Sequence, residues 1–430
     1  MKKNIFIKSV ILLIIGGFVS KLVSMIKKIV LARYLGTEGM GVVALVSPTF
    51  VLFMTLAQLG LPIAISKLVA EDTKNNKNLV FSIIPISLLF NIILTTIIIF
   101  SAKFIAINLL NEPRCYLALV CIGLVLPFVS ISSILRGYFF GKQQMFPHVL
   151  SCMVEDIIRL TILIIGLPFF LEKGMEYAVA YTILVNMFSE LTSIFVLFFF
   201  LPKNFKITKK DIILNKQNVK DVFAIGVPTT MGRLTSSFGT FLEPIILTFV
   251  LISVGYSNSY IVNEYGVLNG FIMPLILLPS FFTMAISQAL IPGISKAYSI
   301  GNKNFVKKRI RLAIFLSLLV GLPATAIFVI CPEIPLSIIY GTTDGTEYIK
   351  ILAPLFIFHY IQNPLNAALQ AMGKAKDAMN GTLQGTVIRT IIIFTFSYLC
   401  IGLWGLVIAS GLSTIYITIH QYLKVKKALK

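Results

Sequence analysis

Apolar residues in this chain gather into runs of twenty or more positions, separated by short polar breaks. A bilayer core of roughly 30 Å is crossed by about 20 apolar residues in a helix, so each run reads as a membrane span. Twelve are predicted, over 5–34, 40–66, 79–101, 115–141, 147–170 and 177–201, then 221–252, 263–292, 310–332, 346–372, 378–400 and 402–423. The first run follows Met1-Lys-Lys and has the form of a secretory leader. It continues past Lys21 without a small-residue cleavage site, which predicts a retained first helix.

Composition agrees with this pattern. With 57% hydrophobic side chains, 13% charged ones and a mean hydropathy of +0.92, the chain has too little polar surface for a soluble globule. The formal net charge of +20 would suit nucleic acid if the 37 basic residues formed one face. Instead they sit in alternate connections: at the N-terminus, at 67–77, at Lys142, at 202–220, at 296–311, at Lys374 and Lys376, and at the C-terminus. The opposite connections hold only Arg33, Lys103, Arg114, Lys173 and Lys350. This positive-inside asymmetry predicts two cytoplasmic termini and removes the need for nucleic acid as a partner. The five cysteines are scattered singly, so neither a disulfide framework nor a metal site is expected.

The basic stretch 202–220 divides the chain into 1–201 and 221–430, six predicted helices each. The halves share an order of short motifs. Glu38-Gly-Met-Gly-Val42, Pro48, Ile65-Ser-Lys67 and Lys77-Asn78 in the first are answered by Glu264-Tyr-Gly-Val267, Pro274, Ile294-Ser-Lys296 and Lys303-Asn304 in the second. Gly141-Lys142 before Ile158-Arg159 is likewise answered by Gly373-Lys374 before Ile388-Arg389. Because each half has an even number of helices, the copies have the same orientation, as in transporters built from parallel repeats. The expected architecture is all-α, with two pseudosymmetric six-helix lobes around a central cavity that opens alternately to the two sides.

Seven basic residues fall inside the predicted spans away from their ends: Lys21, Lys27, Lys28, Arg136, Arg159, Arg233 and Arg389. So do four acids: Glu155, Asp156, Glu190 and Glu243. An ionised group facing lipid at mid-bilayer costs about 3 kcal/mol or far more, so these residues are expected to face water or one another. At about 100° per residue, Lys21, Ser24 and Lys28 form one polar stripe while Lys27 points about 120° away. Arg159 follows Asp156 by three residues and Glu155 by four, the spacing of an intrahelical ion pair. Arg233 and Glu243, ten apart on one helix, are expected to pair in part. Lys21, Ser24, Lys27, Lys28, Arg136 and Arg233 are the candidate substrate-binding residues. Glu155, Asp156, Arg159, Glu243 and Arg389 are candidates for gating, ion pairing or coupling. The surplus of positive charge favours an anionic passenger such as a phosphate.

Several segments carry a family resemblance. They are Ser20-Lys-Leu22 with a basic residue seven positions on, Leu31-Ala-Arg-Tyr-Leu-Gly-Thr-Glu-Gly-Met40, Leu59-Gly-Leu-Pro-Ile-Ala-Ile-Ser-Lys67, Leu135-Arg-Gly-Tyr-Phe-Phe-Gly141 with Glu155 to Arg159, Gly232-Arg-Leu234 with Leu242-Glu243, and Leu278-Pro-Ser-Phe-Phe-Thr283 with Leu290 to Tyr298. Together they resemble the stage V sporulation protein B-like branch of the multidrug/oligosaccharidyl-lipid/polysaccharide flippase superfamily. The resemblance implies a MATE-like fold and export of a lipid-linked, pyrophosphate-bearing glycan precursor across the bacterial plasma membrane. The related lipid II flippases carry a basic pair in the first helix that engages pyrophosphate. Lys21 matches its first member, and either Lys27 or Lys28 its second. Two departures stand out: Val46 to Met54 lacks the basic residues that lipid II flippases have in helix two, and twelve spans are found where members often carry fourteen.

No Gly-rich phosphate loop followed by Lys and Ser or Thr is present, so membrane potential or a coupling ion, Na+ or H+, is the expected drive. An ion-coupled exporter of cationic drugs on the same fold is the alternative. It calls for acids to dominate the cavity, the reverse of the balance here. An enzyme is not expected: His148, His359 and His420 are isolated, and the acidic pair Glu71-Asp72 lies beside Lys74 and Lys77 as a solvated turn. No cofactor is implied, and the expected partners are the anionic lipid-linked glycan and the surrounding lipids, with the protein a monomer.

Overall fold

A computed structural model describes residues 2–71, 76–202, 216–399 and 401–429. Most of the predicted basic linker, 203–215, lies outside them, as do Asp72, Lys74, Cys400 and the side chains of Lys2, Lys3 and Lys8. Every regular element among the described residues is helical.

Helix α1 runs from Lys2 to Gln58. At 1.5 Å per residue it would be about 85 Å long, nearly three bilayer cores, and it is broken at Gly36, whose φ of 62° belongs to the left-handed region that glycine enters freely. The break makes two spans of it, and α2 (Leu61–Glu71) continues the second after a turn at Leu59 and Gly60, both with positive φ. There follow α3 (Asn76–Phe104), α4 (Cys115–Gly141), α5 (Met145–Lys173), α6 (Met175–Phe199) and α7 (Lys216–Ser253). The eighth span is composite: α8 (Asn258–Gly266), a π-helical turn (Val267–Ile272), α9 (Met273–Ile276) and, past Pro279, α10 (Ser280–Ser299). Helix α11 (Lys303–Ile330) and the short α12 (Glu333–Tyr340) precede α13 (Thr346–Ala371), α14 (Ala375–Tyr398) and α15 (Trp404–Ala428).

All twelve predicted spans fall on these helices. The pattern missed α12, which is too short to show a period, and it placed the start of α11 late because its first two turns are basic. Among the described residues, seven helices are long and apolar enough to cross a membrane on length and composition alone, or eight with the bent pair Asn258–Ile276 and Ser280–Ser287. Helix α5 has Glu155, Asp156 and Arg159 at its centre, and its polarity is met inside the protein, as described below.

The chain forms two compact units, one of residues up to Val30 with Leu45–Phe241, the other of Leu31–Ala44 with Leu242–Lys430. Contacts therefore place 31–44 in the second unit and the described part of 216–241 in the first, although chain order alone puts them in the opposite halves. Each unit has its own apolar core, the first around Leu61, Ile65, Ile83 and Phe139, the second around Ile294, Ile310, Leu369 and Val425. In the first unit α4 is the hub, packed on α2, α3 and α6, with α5 on α6. In the second α13 is the hub, packed on α10, α11 and α15, with α14 on α15. The two pairing patterns are the same, so the order of motifs in the sequence corresponds to a repeated packing scheme.

Glycines set the closest crossings. In the second unit, Gly41 and Gly266, one from each copy of the repeated motif, lie where a Cβ would overlap backbone: Gly41 against Val262, and Gly266 against Thr37 and Gly41. In the first unit, Gly141 of α4 would meet the carbonyl oxygen of Ser66 at 2.6 Å. Small residues allow this approach, and dispersion between backbones drives it where lipid offers no hydrophobic advantage. Gly266→Ala is therefore expected to overpack the crossing, at about 1–3 kcal/mol, and to lower the melting temperature in detergent. Gly293→Ala, with nothing within 4 Å, should leave it unchanged or slightly raised. Equal melting temperatures for the two variants would refute this account of the crossing.

Candidate functional site

The intramembrane charges sort into paired and unpaired sets. In the first unit, α4, α5 and α6 bring together Arg136, Glu155, Asp156, Arg159 and Glu190. Glu155 bridges both arginines, one on each carboxylate oxygen. Arg136 Nη2 also donates to Ser193 Oγ at 2.7 Å and lies 3.5 Å from Glu190 Oε2. Arg159 donates through Nη1 to Asp156 Oδ1 and through Nε to Ser189 Oγ, each at 3.2 Å. The helical spacing of Glu155, Asp156 and Arg159 aims all three at one face, and Ser189, Glu190 and Ser193 line the facing side of α6 in the same way. Glu155 and Glu190 are buried, and these partners offset the cost of placing carboxyl groups there.

Lys27 extends this network. It is half-buried, and the charges nearest it include Arg159, Asp156 and Glu155. Lys28 is exposed, with Lys21 as its electrostatic neighbour. The stripe expected from 3.6 residues per turn is therefore present in α1, and Ser24 within it donates to its own helix at Ser20 O, 2.8 Å. The opposite side of α1 packs on α5, where a Cβ on Gly16 would overlap Val149. A third face exposes Ile15, Phe18, Leu22 and Ile26, centred about 100° from Lys21. The apolar stripe suits acyl chains. The lysine stripe is separate from it and requires water or an anion.

Arg136 was expected among the substrate-facing residues, but the structure engages its guanidinium with Glu155, Glu190 and Ser193. The sequence could not reveal this, because those partners come from two other helices. The pairing expected between Arg233 and Glu243 is also corrected: Glu243 accepts from Arg389 Nη2 at 3.0 Å and from the Tyr265 hydroxyl, all in the second unit. Ten residues along α7 amount to about 15 Å of rise and about 80° of rotation, too far for a direct pair. Arg233 is exposed and lines a cleft of about 430 Å³ in the first unit, with Ser236, Ser237, Thr55 and Gln58 over Phe50 and Met54. Thr55 and Ser237 share a hydrogen bond of 3.1 Å there.

Each of the four intramembrane acids thus has an arginine partner. Among the described residues, no ion pair takes up Lys21, Lys28 or Arg233.

The family described as polysaccharide biosynthesis protein matches residues 6–298, more than half of this chain. The chain belongs to that family.

Other similarities place this polysaccharide biosynthesis family member more narrowly. It is 35% identical to stage V sporulation protein B of Bacillus subtilis (strain 168) over 441 residues, covering 100% of this chain and 85% of that protein. It is 21% identical to the lipid II flippase MurJ of the same organism over 455 residues, covering 98% of this chain and 82% of the flippase. A family described as MatE matches residues 236–395. An inward-facing structure of a multidrug resistance MATE family transporter of the MOP superfamily superposes with a TM-score of 0.74 at 17% identity, covering 95% of this chain and 94% of that one. The chain is therefore a multi-pass membrane protein of the polysaccharide biosynthesis family with a MATE-like fold.

In this family member the Glu243–Arg389 contact can be measured by itself. Arg389→Met leaves a buried carboxylate unpaired and is expected to destabilise by about 3–5 kcal/mol. Adding Glu243→Gln should recover much of that loss, and a double-mutant cycle on thermal unfolding in detergent reads the coupling. Strictly additive effects would mean that the contact carries no coupling.

Proposed function

We propose that this protein flips a lipid-linked, pyrophosphate-bearing glycan precursor, of peptidoglycan or another envelope polysaccharide, across the plasma membrane by alternating access of its two six-helix halves, 1–201 and 221–430. One observation carries the reading: the four acids deep in the spans are engaged by three arginines, with Lys27 beside the Glu155 cluster, so among the described residues the exposed charges deep in the spans are the cations Lys21, Lys28 and Arg233. At an effective dielectric constant near 20, a phosphate oxygen 4 Å from one such cation gains about 4 kcal/mol of attraction, before desolvation is subtracted. The similarity to a lipid II flippase and to polysaccharide biosynthesis proteins supports the same substrate class.

Lys21 and Lys28 are the basic pair that receives the anionic head. Lys27, beside the Arg159, Asp156 and Glu155 cluster, belongs to that cluster rather than to the passenger. Arg233, in its cleft with Thr55, Gln58 and Ser236, offers a second cation ringed by hydroxyl and amide groups suited to sugar or phosphate oxygens. Both termini are cytoplasmic in this reading, so a membrane potential negative inside favours outward movement of the anion, with Na+ or H+ as a possible coupling ion. The Glu155, Asp156 and Arg159 network and the Glu243–Arg389 pair are the bistable contacts that such a cycle would rearrange.

Export of cationic drugs is the second reading, favoured by the similarity to a multidrug resistance transporter. It calls for carboxylates to dominate the exposed charge deep in the spans, where the exposed charges here are cations; Glu264, near the start of the eighth span, accepts from the Tyr348 hydroxyl.

In proteoliposomes, Lys21→Ala is expected to abolish flipping of a lipid-linked pyrophosphate glycan while insertion and thermal stability are retained. Lys28→Ala should reduce the rate at least tenfold. Lys67→Ala should be silent, since its 4.0 Å contact with Glu71 is solvent-exposed and weak. Full transport by Lys21→Ala, or vigorous export of cationic dyes by the wild type, would overturn the assignment.

A further inference from the structure

Helix α11 begins against its own dipole. Asn302 caps it, accepting from the Phe305 amide at 3.0 Å, yet the first turn contains no acid and Lys303, Lys307, Lys308, Arg309 and Arg311 crowd the positive end. Arg309 is accounted for by the Phe305 ring, 5.0 Å away. Lys307 and Arg311 are four residues apart, side by side on one face, where like charges repel.

These two residues form the mouth of a groove. Together with Lys426, from the last turn of α15, they stand over an apolar cleft of about 260 Å³ whose floor is Ile310, Leu365 and Val425. The floor residues are buried and the three cations exposed. Among the described residues no carboxylate pairs with Lys307, Arg311 or Lys426. The nearby acid Asp377 holds Lys424 at 3.0 Å, and Lys424 lies about 200° around α15 from Lys426.

The surface leading away from the mouth indicates what fits it. Down the same face of α11 from Arg311 run the exposed side chains Phe315, Leu319 and Leu322. On the matching face of α15, Lys426 is followed toward the helix start by Tyr422, Ile419 and Leu412, also exposed. Each helix thus carries a cation at headgroup level and a continuous apolar stripe below it. An occupant would need anionic oxygens at one end and hydrocarbon at the other.

We propose that this groove is a binding site for an anionic phospholipid of the surrounding bilayer, of the two-phosphate class represented by cardiolipin. Two phosphates bridge the three cations. One acyl chain enters the cleft over Ile310, and the others lie along the apolar stripes. Basic pockets between membrane helices at the cytoplasmic face recognise such headgroups in this way, and the positive-inside count puts this end of the helices at that face. The site is independent of the Lys21 stripe and does not rest on the identity of the transported glycan.

The test is native mass spectrometry of the full-length protein in detergent, titrated with cardiolipin and, separately, with phosphatidylcholine. The wild type is expected to retain cardiolipin at least tenfold more strongly. The triple variant Lys307→Ala, Arg311→Ala, Lys426→Ala should lose that preference. Arg309→Ala with Lys427→Ala, outside the groove, should keep it. Ile314→Trp, which fills the cleft without changing charge, should weaken cardiolipin retention and so guards against a bulk electrostatic effect. Unchanged retention in both the triple variant and Ile314→Trp would overturn the proposal, as would an absence of preference in the wild type. Displacement of cardiolipin by a polyprenyl pyrophosphate would also overturn it, assigning the groove to the transported lipid.

Discussion

A hydrocarbon core does not tolerate an unpaired charge or an unmet backbone group, and most of the structure follows from that constraint. It makes every spanning element among the described residues helical and requires each acid deep in the spans to find a base on its own or a neighbouring helix. The Glu155 bridge between Arg136 and Arg159 and the Glu243–Arg389 contact are the two results. Smaller polar groups meet the same demand locally: Ser410 donates to Leu406 O at 2.8 Å, and Asn91 to Ser87 O at 2.8 Å and Ala57 O at 3.3 Å. Charges that remain exposed after this pairing stand out against it, and they are all positive.

The spans were legible because each extends for about 20 residues, long enough for composition alone to decide. The repeat was legible in the order of motifs, and its structural basis is the shared hub arrangement around α4 and α13. The break at Gly36 was not, since a glycine in a run of apolar residues has several uses and only its φ of 62° shows this one. Helix α12 was missed for the opposite reason: eight residues, Glu333–Tyr340, cannot establish a period. Its last turn is nevertheless fixed, because Arg33 donates to the Ile338 and Ile339 carbonyls at 2.8 and 3.1 Å. Arg33 had been counted as an ordinary loop charge, and a contact spanning more than 300 positions leaves no local trace in a sequence.

Within the candidate site, legibility followed sequence separation. The Lys21, Ser24 and Lys28 stripe and the Glu155, Asp156 and Arg159 cluster each lie within one helix, so periodicity was enough. Partners drawn from other helices were invisible: Ser193 and Glu190 for Arg136, Arg389 and Tyr265 for Glu243, Thr55 and Gln58 around Arg233. The ambiguity between Lys27 and Lys28 is a case of both kinds. Angles showed that they point apart, but only the position of α5 shows which of them lies beside its charged cluster.

The division between arginine and lysine follows from what each contact must do. A guanidinium is planar, offers five donors in a fixed fork and is weakly hydrated, so it can satisfy two carboxylates and a hydroxyl at once, as Arg136 and Arg159 do. Such a group suits a buried network in which one cation serves several partners. A transporter's substrate contacts must be broken on every cycle, and an ammonium on a flexible stem, strongly hydrated when free, regains water as the anion leaves. The first helix places lysine, not arginine, on its exposed polar stripe. Arg233 is the exception, and the hydroxyl and amide groups around its cleft supply the replacement partners that water supplies to Lys21 and Lys28. In the proposed cycle, release rather than affinity is thus the property that this distribution of cations would serve.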